Sequence, residues 1–326
     1  MGEACVLCGV SATEVVSRED RHGRPLVTVL CTGCGVLRND PVPSEAELTE
    51  FYRRDYRTDY KGAPEPRLRQ VWRNLERLNA HFAAFRDIYS KGGRWLDLGA
   101  GSGEFSFLAR RLGAEVTAVE PNEAYAEYCR AKLDLPVQTG RMEDFAFAEG
   151  SFDMIRLSHV LEHLRDPVVA LRRLAGWLAE DGILYIEVPD IESDARHKMR
   201  GRMFHYGHIY NYNPVTLRHV AGLAGLVELP ATAARSAGRC GAFFKRGEGG
   251  TVPVAELGIN ALRMRAAMVA HNGRRLPEPA EGTVAGRFLR TIAARLREAR
   301  EGARLKTHRA IADAAAQRLA EVLARG

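Results

Sequence analysis

The run WLDLGAGSGEF over Trp95–Phe105 constrains this chain more than any other: an apolar strand opens into glycines at 99, 101 and 103 and then into a helical pattern. Glycine at such a turn admits left-handed backbone and leaves no side chain between chain and ligand, while the next helix offers unpaired N–H groups. Strand, glycine turn and helix in that order belong to a parallel α/β sheet. A nucleotide-like cofactor is expected just beyond the strand.

Two features decide which cofactor. The strand over 115–119 ends in Glu120, about twenty residues past the first glycine, where a carboxylate accepts both hydroxyls of an unphosphorylated ribose. NAD and S-adenosylmethionine both satisfy that. A dinucleotide fingerprint needs G-x-G-x-x-G, whereas the spacing here is G-x-G-x-G and position 104 is Glu, which would oppose a pyrophosphate. Adenosylmethionine carries an ammonium, a sulfonium and a single carboxylate, so acids near the turn suit it. Asp97, Gly99, Gly101, Gly103 and Glu120 are the expected cofactor contacts.

With these residues the chain resembles the class I S-adenosylmethionine-dependent methyltransferases over roughly residues 91 to 247. The segment SFDMIRLSHVLEHLRDP over Ser151–Pro167 resembles that family's fourth strand and the helix after it, and EDGILYIEVP over Glu180–Pro189 its loop and fifth strand. The resemblance implies an α/β fold with a doubly wound, seven-stranded, mostly parallel, Rossmann-like sheet closed by a hairpin. Strands read at 94–98, 115–119, 136–139, 152–157 and 183–188, with a final pair near 226–230 and 241–245. Adenine is then expected between the second and fourth strand ends. Met142 would cover the ring face, Glu143 or Asp144 would accept from the exocyclic amine, and Ser158 stands at the end of the fourth strand. The family's commonest acidic position corresponds to Arg141 here.

Six cysteines carry the second strong signal. Cys5-x-x-Cys8 and Cys31-x-x-Cys34 are two knuckles with an expected β-hairpin between them, each followed by glycine, which is zinc-ribbon spacing. Four sulfurs leave no open coordination position, so the ion they predict is structural. Cys129 and Cys240 have no partner at ligand spacing and read as packing residues. Met1–Cys5 lacks the basic-then-apolar layout of a secretory signal and no run of 18 apolar residues occurs, so the expected compartment is the cytoplasm, where thiols stay reduced.

After the ribbon, Ser44 and Glu47 spell a capping box that starts a helical pattern carrying Tyr52, Tyr56 and Tyr60 at intervals of four. The resemblance gives this segment the role of a lid, with Tyr56 and Tyr60 at the cofactor; a plain packing helix is the alternative. A second helix over 68–88 leads into the glycine strand. The organisation is a zinc ribbon over 1–40, a helical lid or linker over 41–90, the cofactor-binding domain over 91–247 and a helical C-terminal extension over 248–326.

Transfer from a sulfonium is an in-line displacement in which alignment in a dry pocket does most of the work, and an alcohol acceptor also needs a base. Histidines are the candidates. His159, Glu162 and His163 follow the fourth strand, and HYGHIYNYN over His205–Asn213 precedes a helix starting near Pro214. His208 aligns with a histidine of similar sugar methyltransferases that bear an N-terminal zinc module. In their C-methylating members a Glu-His pair deprotonates carbon, but Gly207 precedes His208 here, which points to O-methylation with His208 as base. His159-x-x-Glu162-His163 also resembles the Glu-x-x-Glu-His metal site of O-methyltransferases of ubiquinone biosynthesis and small-RNA ends. A divalent ion at Glu162 and His163 would orient acceptor oxygens and lower an alcohol's pKa. His208, His163 and His159 are the candidate catalytic residues, unless all three histidines are structural.

The formal charge of +6 is modest for 326 residues and fits acidic substrates, nucleic acid or an arginine-rich composition alike. Beyond Gly247 apolar residues recur at helical spacing, with Phe288, Ile292, Leu296, Leu305, Ile311, Ala315 and Leu319. Such helices need a partner surface: their own domain, a second copy in a homodimer, or a membrane surface. Three functions compete. The favoured one is O-methylation of a small-molecule hydroxyl on a sugar or sugar-bearing metabolite. A zinc-ribbon RNA methyltransferase is disfavoured because Glu3, Glu14, Glu19 and Asp20 interrupt the ribbon's basic residues. A non-catalytic adenosylmethionine-binding scaffold is disfavoured by the intact pocket residues.

Overall fold

The computed structural model describes residues 3–54, 65–198, 203–230, 232, 234–236, 238–274, 296, 300 and 305–324. Two sheets organise them. The larger has the order β10-β12-β8-β7-β4-β5-β6, with β11 against β12. Its strands are β4 (Arg94–Leu98), β5 (Glu115–Glu120), β6 (Val137–Thr139), β7 (Phe152–Ser158), β8 (Leu178–Pro189), β10 (Leu226–Glu228), β11 (Ala234–Ser236) and β12 (Arg239–Arg246). β4, β5 and β6 run parallel, whereas β12 is antiparallel to β8 and to β10. This is the expected seven-stranded path, with the short β11 added at its margin. The order reverses between β4 and β7, the switch point beside which α/β sheets bind ligands.

The chain divides into two compact units, Met1–Tyr56 with Leu157–Ala280 and Arg57–Arg156 with Glu281–Gly326. These limits do not follow the sequence blocks 1–40, 41–90, 91–247 and 248–326. The reason lies in the ribbon and the tail, which pack against segments remote in sequence.

In the first unit, β1 (Thr13–Glu19), β2 (Pro25–Cys31) and β3 (Leu37–Asn39) form an antiparallel meander that β9 (Tyr210–Asn211) extends. Ser44 and Glu47 close the capping box of helix Glu45–Arg54: Ser44 N–H donates to Glu47 Oε2 at 2.7 Å and Glu47 N–H to Ser44 Oγ at 3.3 Å. One apolar cluster joins Leu30 and Leu37 of the ribbon to Ile191, Phe204, Met264 and Met268. Helix Val254–Gly273, legible only as a helical stretch in the sequence, thereby covers the ribbon. Its Asn260 donates to Cys34 O at 2.8 Å and its Arg265 pairs with Glu14 at 2.8 Å.

In the second unit the parallel strands β4, β5 and β6 pack with helices Leu68–Ala84, Glu104–Arg111 and Glu123–Leu133 around Phe82, Tyr89, Trp95 and Phe105. Helix His308–Ala324 closes this core by burying Ile311, Ala312, Ala315 and Leu319. Asn79 donates to Ala315 O at 3.0 Å and Arg318 pairs with Glu76 at 2.7 Å. Of the alternatives for the tail's apolar stripe, docking on the protein's own core is the one seen for this helix. Phe288 and Ile292 lie outside the described residues. Among the described residues no helix is long and apolar enough to cross a membrane.

Candidate functional site

The second unit holds the glycine turn and its acid. Gly99, Gly101 and Gly103 take φ of 72°, 58° and 77°, where a side chain costs roughly 1–2 kcal/mol. Their surroundings differ. A Cβ on Gly103 would lie 2.8 Å from Cys129 Sγ and from Leu135 Cδ1, so this glycine serves packing, whereas one on Gly101 would meet nothing within 4 Å. Glu120, 6% exposed at the end of β5, accepts from Gly101 N–H at 2.7 Å and from Asn122 N–H at 2.9 Å. Two amides thus fix the orientation of the carboxylate at the strand end.

The other expected cofactor residues divide by how they are engaged. Asp97 is fully buried, with Arg156 donating to Oδ1 at 2.8 Å and Ser106 to Oδ2 at 2.7 Å, so its carboxylate is committed to the protein. The Arg156 guanidinium lies 4.6 Å over the Phe105 ring. Met142 is buried in the short turn Met142–Asp144, and Asp144 is spent on that turn by accepting from Arg141 N–H at 2.7 Å. Glu143 stays exposed, 3.4 Å from the Arg141 side chain. Tyr56 and Tyr60 lie outside the described residues.

The first unit gathers the histidines. β7 ends at Ser158, whose Oγ donates to Glu187 Oε1 at 3.1 Å. Tyr185 OH donates to the other oxygen at 3.1 Å. His159 follows at φ 56°, an uncommon conformation for a residue with a side chain, and its N–H donates to Glu187 O at 2.8 Å. The His159 ring sits between two acids, with Nδ1 3.4 Å from Glu162 Oε1 and Nε2 3.7 Å from Glu187 Oε1. Sequence reasoning missed Glu187 and Tyr185. The available signal was a carboxylate inside the otherwise apolar strand ILYIEVP.

Glu162 is 1% exposed, and among the described residues neither of its oxygens accepts a hydrogen bond. Its nearest charged neighbours are the imidazoles of His159, 3.4 Å away, and His163, 3.9 Å away. His163 Nδ1 lies 2.6 Å from Gly207 O, so Nδ1 carries the proton and Nε2, 3.9 Å from Glu162 Oε1, keeps its lone pair. The His208 ring lies 4.9 Å from that of His163 and 5.5 Å from that of His205. Glu162, His163 and His208 each offer a ligand atom, all within 4.8 Å of one another. Burial lowers the His163 pKa. Burial, reinforced by the neighbouring imidazoles, puts His208 well below the usual histidine range. Both rings are therefore neutral at pH 7, the form in which imidazole binds a metal or accepts a proton.

The four ribbon cysteines also converge. Cys5 Sγ lies 3.8 Å from Cys34 Sγ and Cys8 Sγ 3.4 Å from Cys31 Sγ, and all four sulfurs fall within 4.8 Å of one another. A tetrahedral ion with zinc–sulfur bonds of about 2.3 Å needs sulfurs about 3.8 Å apart, so the cluster fits zinc. Gly9 and Gly35, at φ 75° and 79°, return their N–H groups to Cys5 O and Cys31 O at 2.8 and 2.9 Å, which curls each knuckle around the site.

Residues 70–229 match a family described as a methyltransferase domain, a span that includes the glycine turn, Glu120 and all the clustered histidines. Curated relatives include ubiquinone biosynthesis O-methyltransferases of Xanthomonas campestris pv. campestris and Xanthomonas oryzae pv. oryzae. Each is 35% identical over 103 residues, 29% of this chain and 42% of the relative. The chain thus spans about two fifths of the length of the curated relatives it matches. Among solved structures, a Pyrococcus horikoshii protein aligns with a TM-score of 0.46 at 16% identity over 60% of this chain and 98% of its own. The Burkholderia thailandensis 1,6-didemethyltoxoflavin N1-methyltransferase, solved with 1,6-didemethyltoxoflavin and S-adenosylhomocysteine, aligns with a TM-score of 0.40 at 18% identity over 62% of this chain and 87% of its own.

Proposed function

Residues 70–229 form a methyltransferase domain of the class I, S-adenosylmethionine-dependent kind, and from that premise we propose that the chain O-methylates a hydroxyl of a small molecule, a sugar or sugar-bearing metabolite first. The observation that carries an oxygen acceptor is the buried Glu162 carboxylate with His163 and His208 around it. An amine or thiolate would need no such group, whereas a hydroxyl must lose its proton as the new bond forms.

Bound adenosylmethionine supplies an electrophilic methyl group on sulfur. Glu120, already oriented by the Gly101 and Asn122 amides, accepts from the ribose hydroxyls, and Gly101 lets the backbone approach the ligand. Met142 and Glu143 serve the adenine, Gly99 shapes the turn, and Asp97 and Gly103 hold that turn rather than touch the ligand. Ser158, tied to Glu187, and Tyr56 and Tyr60 complete the proposed cofactor residues. On the acceptor side Glu162, His163 and His208 fit a divalent ion, which would act as a Lewis acid toward the alcohol. The neutral imidazoles favour a second reading, in which His208 itself takes the proton and His163 and His159 orient it.

Cys5, Cys8, Cys31 and Cys34 hold a structural zinc in this proposal, a state that suits the reducing cytoplasm. The functional blocks remain the ribbon over 1–40, the lid or linker over 41–90, the catalytic domain over 91–247 and the extension over 248–326. Any homodimer would have to use surfaces other than the buried stripe of helix His308–Ala324.

The test is an acceptor panel of sugar nucleotides, phenolics and RNA, assayed with and without EDTA. Turnover of a small hydroxyl acceptor is expected. If the ion acts, EDTA abolishes turnover, Mg²⁺ or Mn²⁺ restores it, and Glu162→Gln is as damaging as His208→Ala. If His208 is the base, EDTA treatment that leaves the cysteine-bound zinc in place by elemental analysis does nothing, Glu162→Gln is tolerated, and His208→Ala costs roughly 10²–10⁴-fold. Activity on RNA alone would replace the small-molecule reading, and binding of adenosylmethionine without transfer to any acceptor would favour the scaffold.

A further inference from the structure

The segment from Met203 to Asn213 carries His205 and His208 yet has little regular structure of its own, only the two-residue strand β9. Backbone groups in such a buried loop must find partners elsewhere. They find them in the ribbon. Arg21 N–H, at the β1–β2 turn, donates to Phe204 O at 2.8 Å. Asn39, at the end of β3 and 1% exposed, donates through its side-chain Nδ2 to Tyr206 O at 2.9 Å and through its backbone N–H to Ile209 O at 3.0 Å. These two bonds bracket Gly207 and His208. The bracketed turn then presents Gly207 O to His163 Nδ1 and returns His208 N–H to His205 O at 3.0 Å.

We propose that the four-cysteine ribbon is the support of the histidine loop, and that Asn39 is the positioning residue through which it holds His208 in place. β3 begins at Leu37, only Gly35 and Val36 past Cys34, and Cys31 N–H donates to Val36 O at 2.9 Å, so the second knuckle sets the start of β3 directly. The strand then pairs on one side with β2 and on the other with β9, Leu37 opposite Asn211 and Arg38 opposite Tyr210. Chains of about forty residues rarely hold together alone without metal or disulfide, so the four sulfurs are expected to carry part of the ribbon's hold beside its packing on helix Val254–Gly273. An ion held by the four cysteines would therefore steady the start of β3, while β3 and Asn39 hold the loop and the loop holds His208. The functional weight of the inference rests on the acceptor reading given above, but the mechanical link does not.

Hydrogen–deuterium exchange of the full-length protein, read by mass spectrometry, tests the link without an acceptor. Stripping zinc with a thiolate-competent chelator is expected to raise amide exchange at least tenfold in peptides covering 203–212, with peptides over 94–120 unchanged. Asn39→Ala, and Asn39→Asp, which cannot donate to Tyr206 O, should raise exchange in the same peptides while zinc, by elemental analysis, and adenosylmethionine affinity hold. Unchanged exchange over 203–212 in the zinc-retaining Asn39 variants would overturn the proposal. If those variants instead exchange faster everywhere, graded zinc removal from the unaltered chain decides: opening of 203–212 before 94–120 supports the link, and simultaneous opening overturns it. Once an acceptor is in hand, Asn39→Ala should lower kcat tenfold or more with normal cofactor affinity, a split that general destabilisation would not produce. A chain inactive on every acceptor would leave the exchange result standing.

Discussion

Glu120 reaches any ligand already oriented, since the Gly101 and Asn122 amides hold its two oxygens, and it loses little freedom on binding. Each charge-assisted bond to a ribose hydroxyl is worth about 1.5–3 kcal/mol, so Glu120→Ala should weaken adenosylmethionine binding at least roughly tenfold by calorimetry. Wild-type affinity in that variant would remove Glu120 from the site. The glycines allow a sharper test, because Gly101 and Gly103 share a left-handed backbone but not a neighbourhood. Alanine at either position meets similar backbone strain. Only at Gly103 does the added carbon also press on Cys129 and Leu135. Gly103→Ala should therefore lower the melting temperature more than Gly101→Ala, and Gly101→Ala should be the one that loses cofactor affinity beyond its loss of stability.

At the scale of elements, the zinc ribbon gives the most direct measurement: elemental analysis of protein purified without chelator should find about one zinc per chain, and Cys31→Ser should lose it. The ribbon also shows what a sequence discloses. Its cysteines were legible because ligand spacing is local, strands β4 and β5 because an apolar run meets a glycine turn in one and a terminal acid in the other, and β7 through the resemblance of its flanking segment. The pairing of β3 with β9 was not legible. β9 is two residues long, carries no period, and meets a partner some 170 positions away. The same holds for helix Val254–Gly273, whose Asn260 binds Cys34 O across 226 positions. Within the site, the histidines and Glu162 stood out as chemistry-bearing residues in sequence. What the fold adds is that His163 and His208 sit beside the buried Glu162, that the Glu162 oxygens accept no hydrogen bond among the described residues, and that Asp97 and Asp144 are consumed by their own surroundings.

Over the whole molecule the chain alternates between its two units, and the last helix returns to close a core begun at residue 68. Its hold on the second unit combines apolar burial with polar ties: His308 reaches Pro66 O at 2.8 Å, Arg309 reaches Leu133 O at 3.0 Å, and Arg111 pairs with Asp313. The surface ion pairs contribute little by themselves, about 0–1 kcal/mol each, so burial decides. Leu319 is 1% exposed and Ala315 fully buried. Leu319→Ala should cost about 2–5 kcal/mol through lost burial and the cavity left behind. Ala315→Asp should cost more, because it places a carboxylate against apolar neighbours. Calorimetry should show the second unit's transition moving down, and light scattering should show no change in molar mass. If this helix instead served a second copy of the chain, the same substitutions would dissociate an oligomer and leave the unit's transition in dilute solution where it was.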